Sequence, residues 1–388
     1  MDKRFIDRAI TPALHKVYRY FPVLTLTGPR QSGKTTLLKH IFDKLPYYSL
    51  ENLDIRHFAL NDPIAFLTRH PEGMILDEVQ QTPDLLSFIQ GLVDESPDKR
   101  FILSGSSQFS VFKKISQSLA GRTAVLELLP LSFGEVEQDA RAKTLDSLLF
   151  DGFYPAIYAG RNTASLLYAS YVKTYLERDV RDLLQIKDML QFRTFLRLCA
   201  GRIGSLFNAS ELSGEVGVSV NTIKSWLSVL QASYVIMLLP PYFENTRKRL
   251  TKTPKLYFCD TGLACYLLGI ENEQQLARDK MRGHLFENFI VNEALKSRYN
   301  RGEESNLFFF RDSNANEVDL LLKQGDRFTA IEIKSAQTYH PDFEKGFRPL
   351  TSFLGDRVTA KAIIYAGDYE NDKADIQLLN YRHFNSLL

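Results

Sequence analysis

Gly28-Pro29-Arg30-Gln31-Ser32-Gly33-Lys34-Thr35 decides how this chain is read. The apolar run Val23-Leu24-Thr25-Leu26-Thr27 precedes it, and Thr36-Leu37-Leu38-Lys39-His40-Ile41-Phe42 follows. The pattern is strand, glycine-bounded loop, helix, and it meets every fixed position of G-x-x-x-x-G-K-[ST]. Glycines let successive backbone N–H groups turn inward around a phosphate chain, and the helix N-terminus adds the positive end of its dipole. The spacing predicts a phosphate-binding loop formed by Gly28, Pro29, Arg30, Gln31, Ser32, Gly33, Lys34, Thr35 and Thr36. Lys34 is expected to reach the outer phosphates of a nucleotide, and the Thr35 hydroxyl to ligate Mg²⁺.

Outward from this loop the chain alternates strands and helices. Phe5 to Tyr20 has the pattern of an amphipathic helix, broken or begun around Pro12. A short strand is expected at Tyr47-Tyr48-Ser49-Leu50, then a polar helical stretch from Asp54 to Arg69. Gly73-Met74-Ile75-Leu76-Asp77-Glu78 is a short apolar run ending in two acids, the pattern of a buried parallel strand with a functional tip. In a nucleotide site Asp77 would hold Mg²⁺, largely through water, and Glu78 would orient and activate the attacking water.

A third strand, Arg100-Phe101-Ile102-Leu103-Ser104-Gly105-Ser106-Ser107, ends in hydroxyls that either face a γ-phosphate or form a turn of small residues. Ser118-Leu119-Ala120-Gly121-Arg122 follows, then a strand from Ala124 to Leu129 ended by Pro130. This alternation predicts an α/β, doubly wound parallel sheet of the P-loop NTPase kind, with ligands at the carboxyl ends of its strands.

At 388 residues the chain has room for two or three domains. Its hydrophobic content of 44% and charged content of 24% are those of an ordinary globular protein. A formal net charge of +2 excludes a polycation, so a nucleic-acid surface would have to be a local patch. Cys199, Cys259 and Cys265 have no C-x-x-C spacing and read as reduced, buried residues. The charged N-terminus leads into no apolar core of a signal peptide, and Pro240-Pro241 stops the apolar stretch Val235 to Leu239. A cytoplasmic location is expected.

Several segments together resemble one family. They are Gly28 to Thr36, the Leu-Asp-Glu tip, Leu103-Ser104-Gly105-Ser106-Ser107, Leu119-Ala120-Gly121-Arg122 and Leu129-Pro130-Leu131-Ser132-Phe133. The likeness continues through Tyr175-Leu176-Glu177-Arg178-Asp179-Val180 and Lys255-Leu256-Tyr257-Phe258-Cys259-Asp260-Thr261-Gly262-Leu263. The chain is similar to the bacterial and archaeal AAA-type ATP-binding proteins that carry a C-terminal domain of unknown function. The resemblance implies ATP and Mg²⁺ as ligands. It also implies that Arg122 is an arginine finger acting on a neighbouring subunit of a homo-oligomer.

From Ala140 to Asp182 the pattern is helical, with Phe153, Tyr154, Ile157, Tyr158, Leu166, Leu167, Tyr171 and Tyr175 expected to pack as a lid or connector. Arg178-Asp179 and Arg181-Asp182 read as ion pairs at a junction. Asn208 to Leu230 reads as helix, tight turn at Gly217, second helix. Leu212, Val216, Val218, Ile223, Leu227 and Leu230 would face a shared core, leaving Asn221, Thr222, Lys224 and Ser225 outside. That arrangement enters DNA major grooves. Val235 to Leu239 and Lys255 to Phe258 would form a two-stranded wing, and the loop with Arg247, Lys248, Arg249, Lys252 and Lys255 suits phosphate contact. A winged-helix-like unit also serves as a packing module, and that alternative stays open.

The C-terminal part reads as a helix from Gly283 to Glu293 and strands at Leu307–Arg311, Glu317–Leu322 and Phe328–Lys334. A helix from Pro341 to Phe353 and a strand from Ala360 to Tyr365 follow. Glu332 and Lys334 share one strand face. With Asp319 they are costly to bury unless they pair or bind a cation. The element order, the Asp and the Glu-x-Lys resemble the core of the restriction-endonuclease-like phosphodiesterases. The resemblance implies that Asp319 and Glu332 bind Mg²⁺, that Lys334 stabilises the attacking water or the developing phosphate charge, and that Glu287 is an accessory helix acid. An inherited ion-pair network is the alternative.

The expected organisation is therefore an AAA-type core at 1–138, a helical lid at 139–195, a winged-helix-like segment at 196–262 and a small α/β nuclease-like domain at 263–388. The expected activity is that of a Mg²⁺-dependent ATPase whose nucleotide state controls a nucleic-acid-binding, nuclease-like domain. The rival is an ATP-gated DNA- or protein-binding regulator whose nuclease-like domain cuts nothing.

Overall fold

The computed structural model describes residues 5–105, 119–176, 189–243, 252–373 and 375–388. Strands β1 (Val23–Thr27), β2 (Tyr47–Ser49), β3 (Gly73–Asp77), β4 (Arg100–Gly105) and β5 (Thr123–Glu127) form one sheet in the order β2-β3-β4-β1-β5. Every pairing in it is parallel. All five residues of β1 and of β3 are buried, as central strands covered on both faces require. Phe66, Leu76, Ile89 and Leu103 belong to one covering cluster, and Leu14, Leu26, Leu37 and Ile102 to the other. Parallel pairing brings the carboxyl ends Thr27, Asp77, Gly105 and Glu127 to one edge, where open α/β sheets bind ligands.

Some elements differ from the sequence reading, for local reasons. The first helix begins at Thr11, with a proline in its first turn. The stretch from Asp54 to Arg69 is two helices, Leu53–Asn61 and Pro63–Thr68. Pro63 has no N–H to continue the first helix, and Asp62 caps the second by accepting from Ala65 N at 3.0 Å. Leu166, expected to pack, is 67% exposed. It lies on the Ala164–Tyr171 helix one residue, about 100° of turn, from buried Leu167. Arg178, Asp179, Arg181 and Asp182 lie outside the described residues, as do Ser106 and Ser107.

The two helices expected in the middle segment are present, with Val218 only half-buried. Helices Ala209–Val216 and Val220–Ala232 join through Gly217 in the left-handed conformation. Asn208 and Ser219 cap them, accepting from Ser210 N and Thr222 N. Leu212, Ile223, Leu227 and Leu230 are buried, and Asn221, Lys224 and Ser225 are exposed. Trp226 packs edge-on against Phe192. Strands β6 (Ile236–Leu239) and β7 (Lys255–Phe258) pair antiparallel behind this helix pair.

The C-terminal sheet comprises β8 (Leu307–Arg311), β9 (Glu317–Gln324), β10 (Arg327–Lys334), β11 (Val358–Tyr365), β12 (Asn371–Lys373) and β13 (Ile376–Asn380), in the order β12-β13-β11-β10-β9-β8. β8, β9 and β10 form an antiparallel meander, and β10 and β11 run parallel across the helix Phe347–Leu354. The helix Arg282–Asn300 packs on β10 and against β7. Asn288 exchanges both amide hydrogen bonds with the backbone of Phe258, at 2.8 and 2.9 Å. One continuous apolar core runs from Leu129 through Phe153, Phe195, Leu230 and Phe289 to Phe384, so the connector, the helix pair and the C-terminal sheet share an interior. All three cysteines are buried and unpaired.

Candidate functional site

The phosphate loop springs from the buried end of β1. Gly28 has φ of +147°, and a Cβ there would come within 2.2 Å of the Leu128 carbonyl oxygen, so only glycine lets the loop leave the sheet here. Gly33, at φ +95°, starts the helix Lys34–Ile41 with no side-chain cap on its first N–H groups.

Four predicted residues meet at this loop. Lys34 Nζ donates to the carbonyls of Gly28 and Pro29, both at 2.8 Å. Burial pulls its pKa down to about 8, against the opposing charges of Glu78 and Asp77. Thr35 Oγ1 donates to Asp77 Oδ2 at 2.7 Å. Glu78 follows in the left-handed conformation at φ +54°, a strained backbone for a residue with a Cβ, and strain of this sort concentrates at functional sites. Burial raises its pKa. Gln80 donates to its carboxylate, and the Glu78 N–H itself donates to Asp77 Oδ1 at 3.1 Å. The side-chain oxygens of Ser32 and Ser104 are buried here without a hydrogen-bond partner among the described residues.

Two contributors escaped the sequence reading. Tyr47, on β2, donates to the same Asp77 Oδ2 at 2.7 Å. Arg8, read as part of a charged terminus, is buried: it donates to Ser32 O and Leu129 O at 2.8 Å each and pairs with Glu135 at 3.0 Å. It clamps the loop to the segment that follows β5. No spacing in the sequence announces either contact.

A cleft of about 690 Å³ opens onto Lys34, Thr35 and Glu78. Its far wall comes from the connector, where Pro155, Arg161 and Tyr175 line it, and Arg30 lies 5.3 Å over the Tyr175 ring. Arg122 is not brought there. It precedes β5 at the opposite end of the sheet and grips Asp94 with two nitrogens, at 2.6 and 2.8 Å.

The structure also brings together the C-terminal cluster. Lys334 Nζ lies 2.9 Å from Asp319 Oδ2 and 2.5 Å from Glu332 Oε2. Ile333 N donates to Asp319 Oδ2 at 2.8 Å. A fourth contributor corrects the sequence reading: Lys255, grouped with the solvated basic loop, is only 1% exposed. β7 pairs it at 2.9 Å with Glu287 and 2.5 Å with Glu317, and Asp319 Oδ1 lies 4.0 Å away. Its strand position, between Pro254 and buried Leu256, turns the ammonium inward. Burial and the Asp319 charge raise the pKa of the Glu332 carboxyl, against the pull of Lys334. The two lysines hold the Asp319 carboxyl below its usual range.

These carboxylates do not fit a Mg²⁺ site as they stand. An ammonium already sits on Asp319, Glu332 and Glu287, and the described residues contain no group of three or more acidic, histidine or cysteine side chains arranged to hold a metal. The loop residues do fit one: Thr35 and Asp77 offer adjoining hard oxygen donors. Lys224 is exposed on its helix, while Arg247, Lys248 and Arg249 lie outside the described residues.

Comparison with known proteins places these parts. A family model described as an AAA domain matches residues 20–137, one described as a domain of unknown function (DUF8612) matches 142–274, and another (DUF4143) matches 282–384. An uncharacterized protein of Mycobacterium tuberculosis is 31% identical over 382 residues, covering 97% of this chain and 82% of its own. An uncharacterized protein of Methanocaldococcus jannaschii is 24% identical over 334 residues, 77% of this chain and 72% of its own. Among solved structures, a Walker-type ATPase of Pyrococcus abyssi aligns with a TM-score of 0.47 at 16% identity, over 68% of this chain and 96% of that one. DnaA of Aquifex aeolicus bound to AMPPCP aligns at 0.31 and 14%, over 57% and 85%. No helix among the described residues is long and apolar enough to cross a membrane.

Proposed function

Because the chain belongs to the family of the mycobacterial protein, and its own AAA domain of the phosphate-loop ATPase type precedes two domains of unknown function, we propose that it binds ATP with Mg²⁺, hydrolyses it, and uses the nucleotide state to set the position of its C-terminal half. The observation that carries this reading is the 2.7 Å hydrogen bond from Thr35 to Asp77 beside Lys34. It joins the two oxygen ligands a nucleotide-bound Mg²⁺ would use. Mg²⁺ would supply charge neutralisation across the outer phosphates. Lys34 would exchange two carbonyls of its own loop for phosphate oxygens. Glu78, next to Asp77 and lining the cleft, would take up the proton of an attacking water. Ser104, at the tip of β4 between β1 and β3, has a buried hydroxyl with no hydrogen-bond partner among the described residues and would meet the terminal phosphate. Arg122, held by Asp94 far from this cleft, would serve only the site of a second copy.

The test is titration of the full chain with a fluorescent ATP analogue and Mg²⁺. Tight binding that disappears in Lys34→Ala is expected. Equal affinity and turnover in that variant would remove the assignment.

For the C-terminal half, the binding-only reading is favoured over cleavage, and one observation favours it: Lys334 already pairs with both carboxylates that a catalytic metal would need, Asp319 and Glu332. Whether that half meets DNA or protein is decided by salt. Contact through phosphates weakens with a log–log slope of about −0.9 per phosphate neutralised. Cleavage of DNA by the purified chain with Mg²⁺ or Mn²⁺, abolished in Lys334→Ala, would overturn the binding-only reading.

A further inference from the structure

The Tyr234 hydroxyl lies 2.7 Å from Thr27 Oγ1, although the residues are 207 positions apart in the chain. Thr27 ends β1, and the next residue opens the phosphate loop. Glu127 ends β5 and stands opposite Thr27 in the parallel register. The same Tyr234 hydroxyl hydrogen-bonds its carboxylate. Leu128 follows, donating its N–H to Thr27 O at 2.8 Å and offering the carbonyl against which Gly28 is packed. One phenol thus joins the two strand ends from which the loop springs.

The backbone of Tyr234 points the same way. It sits at φ +55°, just past the helix Val220–Ala232. Tyr234 N closes onto Gln231 O at 3.0 Å, and Val235 N onto Leu230 O at 2.9 Å. This left-handed helix ending ordinarily takes glycine, which has no Cβ to strain. A tyrosine is kept there by something its ring reaches, and an outlier of this kind is a pointer to function. The ring is buried against the loop's own strand. The far side of the same helix carries the exposed Asn221, Lys224 and Ser225.

We propose that Tyr234 is a positioning residue for the nucleotide site, tying the register of the phosphate loop to the helix Val220–Ala232, so that nucleotide in the loop and the placement of that helix's exposed face are set together. The proposal rests on the nucleotide-binding reading above. When Lys34 gives up the carbonyls of Gly28 and Pro29 for phosphate, the first two peptides after the one that joins Thr27 to Gly28 change partners. Tyr234 carries that change to the helix. By linkage, whatever binds the exposed face alters nucleotide affinity by the same factor.

The test uses the full chain and the variants Tyr234→Phe, Thr27→Val and both together. Binding of a fluorescent ADP analogue with Mg²⁺ is measured, with amide hydrogen exchange over residues 220–239 with and without nucleotide. Each single variant should weaken binding by about two- to tenfold, the effect of one lost hydrogen bond. The double variant should lose less than the sum of the two single losses, because both singles remove the bond shared by Tyr234 and Thr27. Nucleotide should alter exchange over 220–239 in the wild type and in neither single variant. Additive losses, or an exchange response that survives Tyr234→Phe, would overturn the proposal. So would a wild type that binds nucleotide, loses it on Lys34→Ala, and shows no response at 220–239. A wild type that binds no nucleotide would bring down the phosphate-loop reading, and this inference with it.

Discussion

Thr35 and Tyr47 donate to the same carboxylate oxygen, Oδ2 of Asp77, each at 2.7 Å. One donor comes from the phosphate-loop helix and the other from the edge strand β2, so the acid is aimed from both sides before any metal arrives. Its other oxygen accepts from the Glu78 N–H. Asp77 and Glu78, the proposed metal ligand and base, are thereby fixed as a unit.

Replacing Asp77 by Asn keeps the shape but removes the charge. Stabilisation by a bound metal is worth several kcal/mol, and at about 1.4 kcal/mol per tenfold the loss in ATP turnover should be on the order of a hundredfold or more. Nucleotide binding measured without Mg²⁺ should change little. A variant with the Mg²⁺ dependence of the wild type would show that Asp77 is not the ligand.

Glu78→Gln separates binding from chemistry. Nucleotide affinity should stay within a few-fold of wild type, while single-turnover hydrolysis falls by about 10²–10⁴, the usual contribution of a general base. Hydrolysis at the wild-type rate would move the role to another residue.

Glu127 makes stability depend on pH. Burial lifts its carboxyl to about 7, Glu304 adds to the rise, and the Tyr234 hydroxyl opposes it. Tyr299 also feels its charge. An acid with a raised folded pKa contributes stability that is full below its unfolded value and is lost as pH climbs through the folded one. At about 1.4 kcal/mol per unit the ceiling is about 3 kcal/mol, less whatever solvent screens. Glu127→Gln stays neutral throughout. Its urea midpoint should match wild type near about pH 4, below the unfolded value, and exceed it near about pH 8. A gap between the two that does not move with pH would contradict this.

Lys255→Met leaves Glu287, Glu317 and Asp319 crowded around an apolar side chain. Removing one partner from a buried ion pair costs about 3–5 kcal/mol, and denaturant unfolding should read that loss. Adding Glu287→Gln should restore part of it. A loss under about 1 kcal/mol would mean that the carboxylates reach water and that the cluster is not sealed by the lysine.

What the sequence made legible follows chain distance. The phosphate loop is one contiguous run whose chemistry is local, so Lys34 and Thr35 stand where their spacing puts them. The tip Asp77-Glu78 was found because a buried strand must end somewhere and two acids mark the place. Glu332 and Lys334 share a side because strand alternation puts them there, and the antiparallel pairing of β9 with β10 brings Asp319 beside them. The residues that were missed act across long separations. Arg8 pairs with Glu135 127 residues away, and Tyr234 reaches Thr27 across 207. Lys255 looks like any cation of a basic loop until β7 turns it inward against helix and sheet. Nothing in the composition of a ten-residue window distinguishes a buried lysine from a solvated one.

The helix Arg282–Asn300 has a practical consequence for handling the protein. Its Glu293 accepts from Phe133 N at 2.7 Å, its Lys296 donates to Leu131 O at 2.8 Å, and its Asn288 is spent on Phe258. All three partners lie upstream of the segment to which the helix belongs by family match. Cutting the chain between the matched segments would leave a buried carboxylate, an ammonium and an amide facing water through a torn apolar core. The boundaries along the sequence mark inheritance rather than places to separate the protein, and a soluble fragment has to carry both sides of that helix with it.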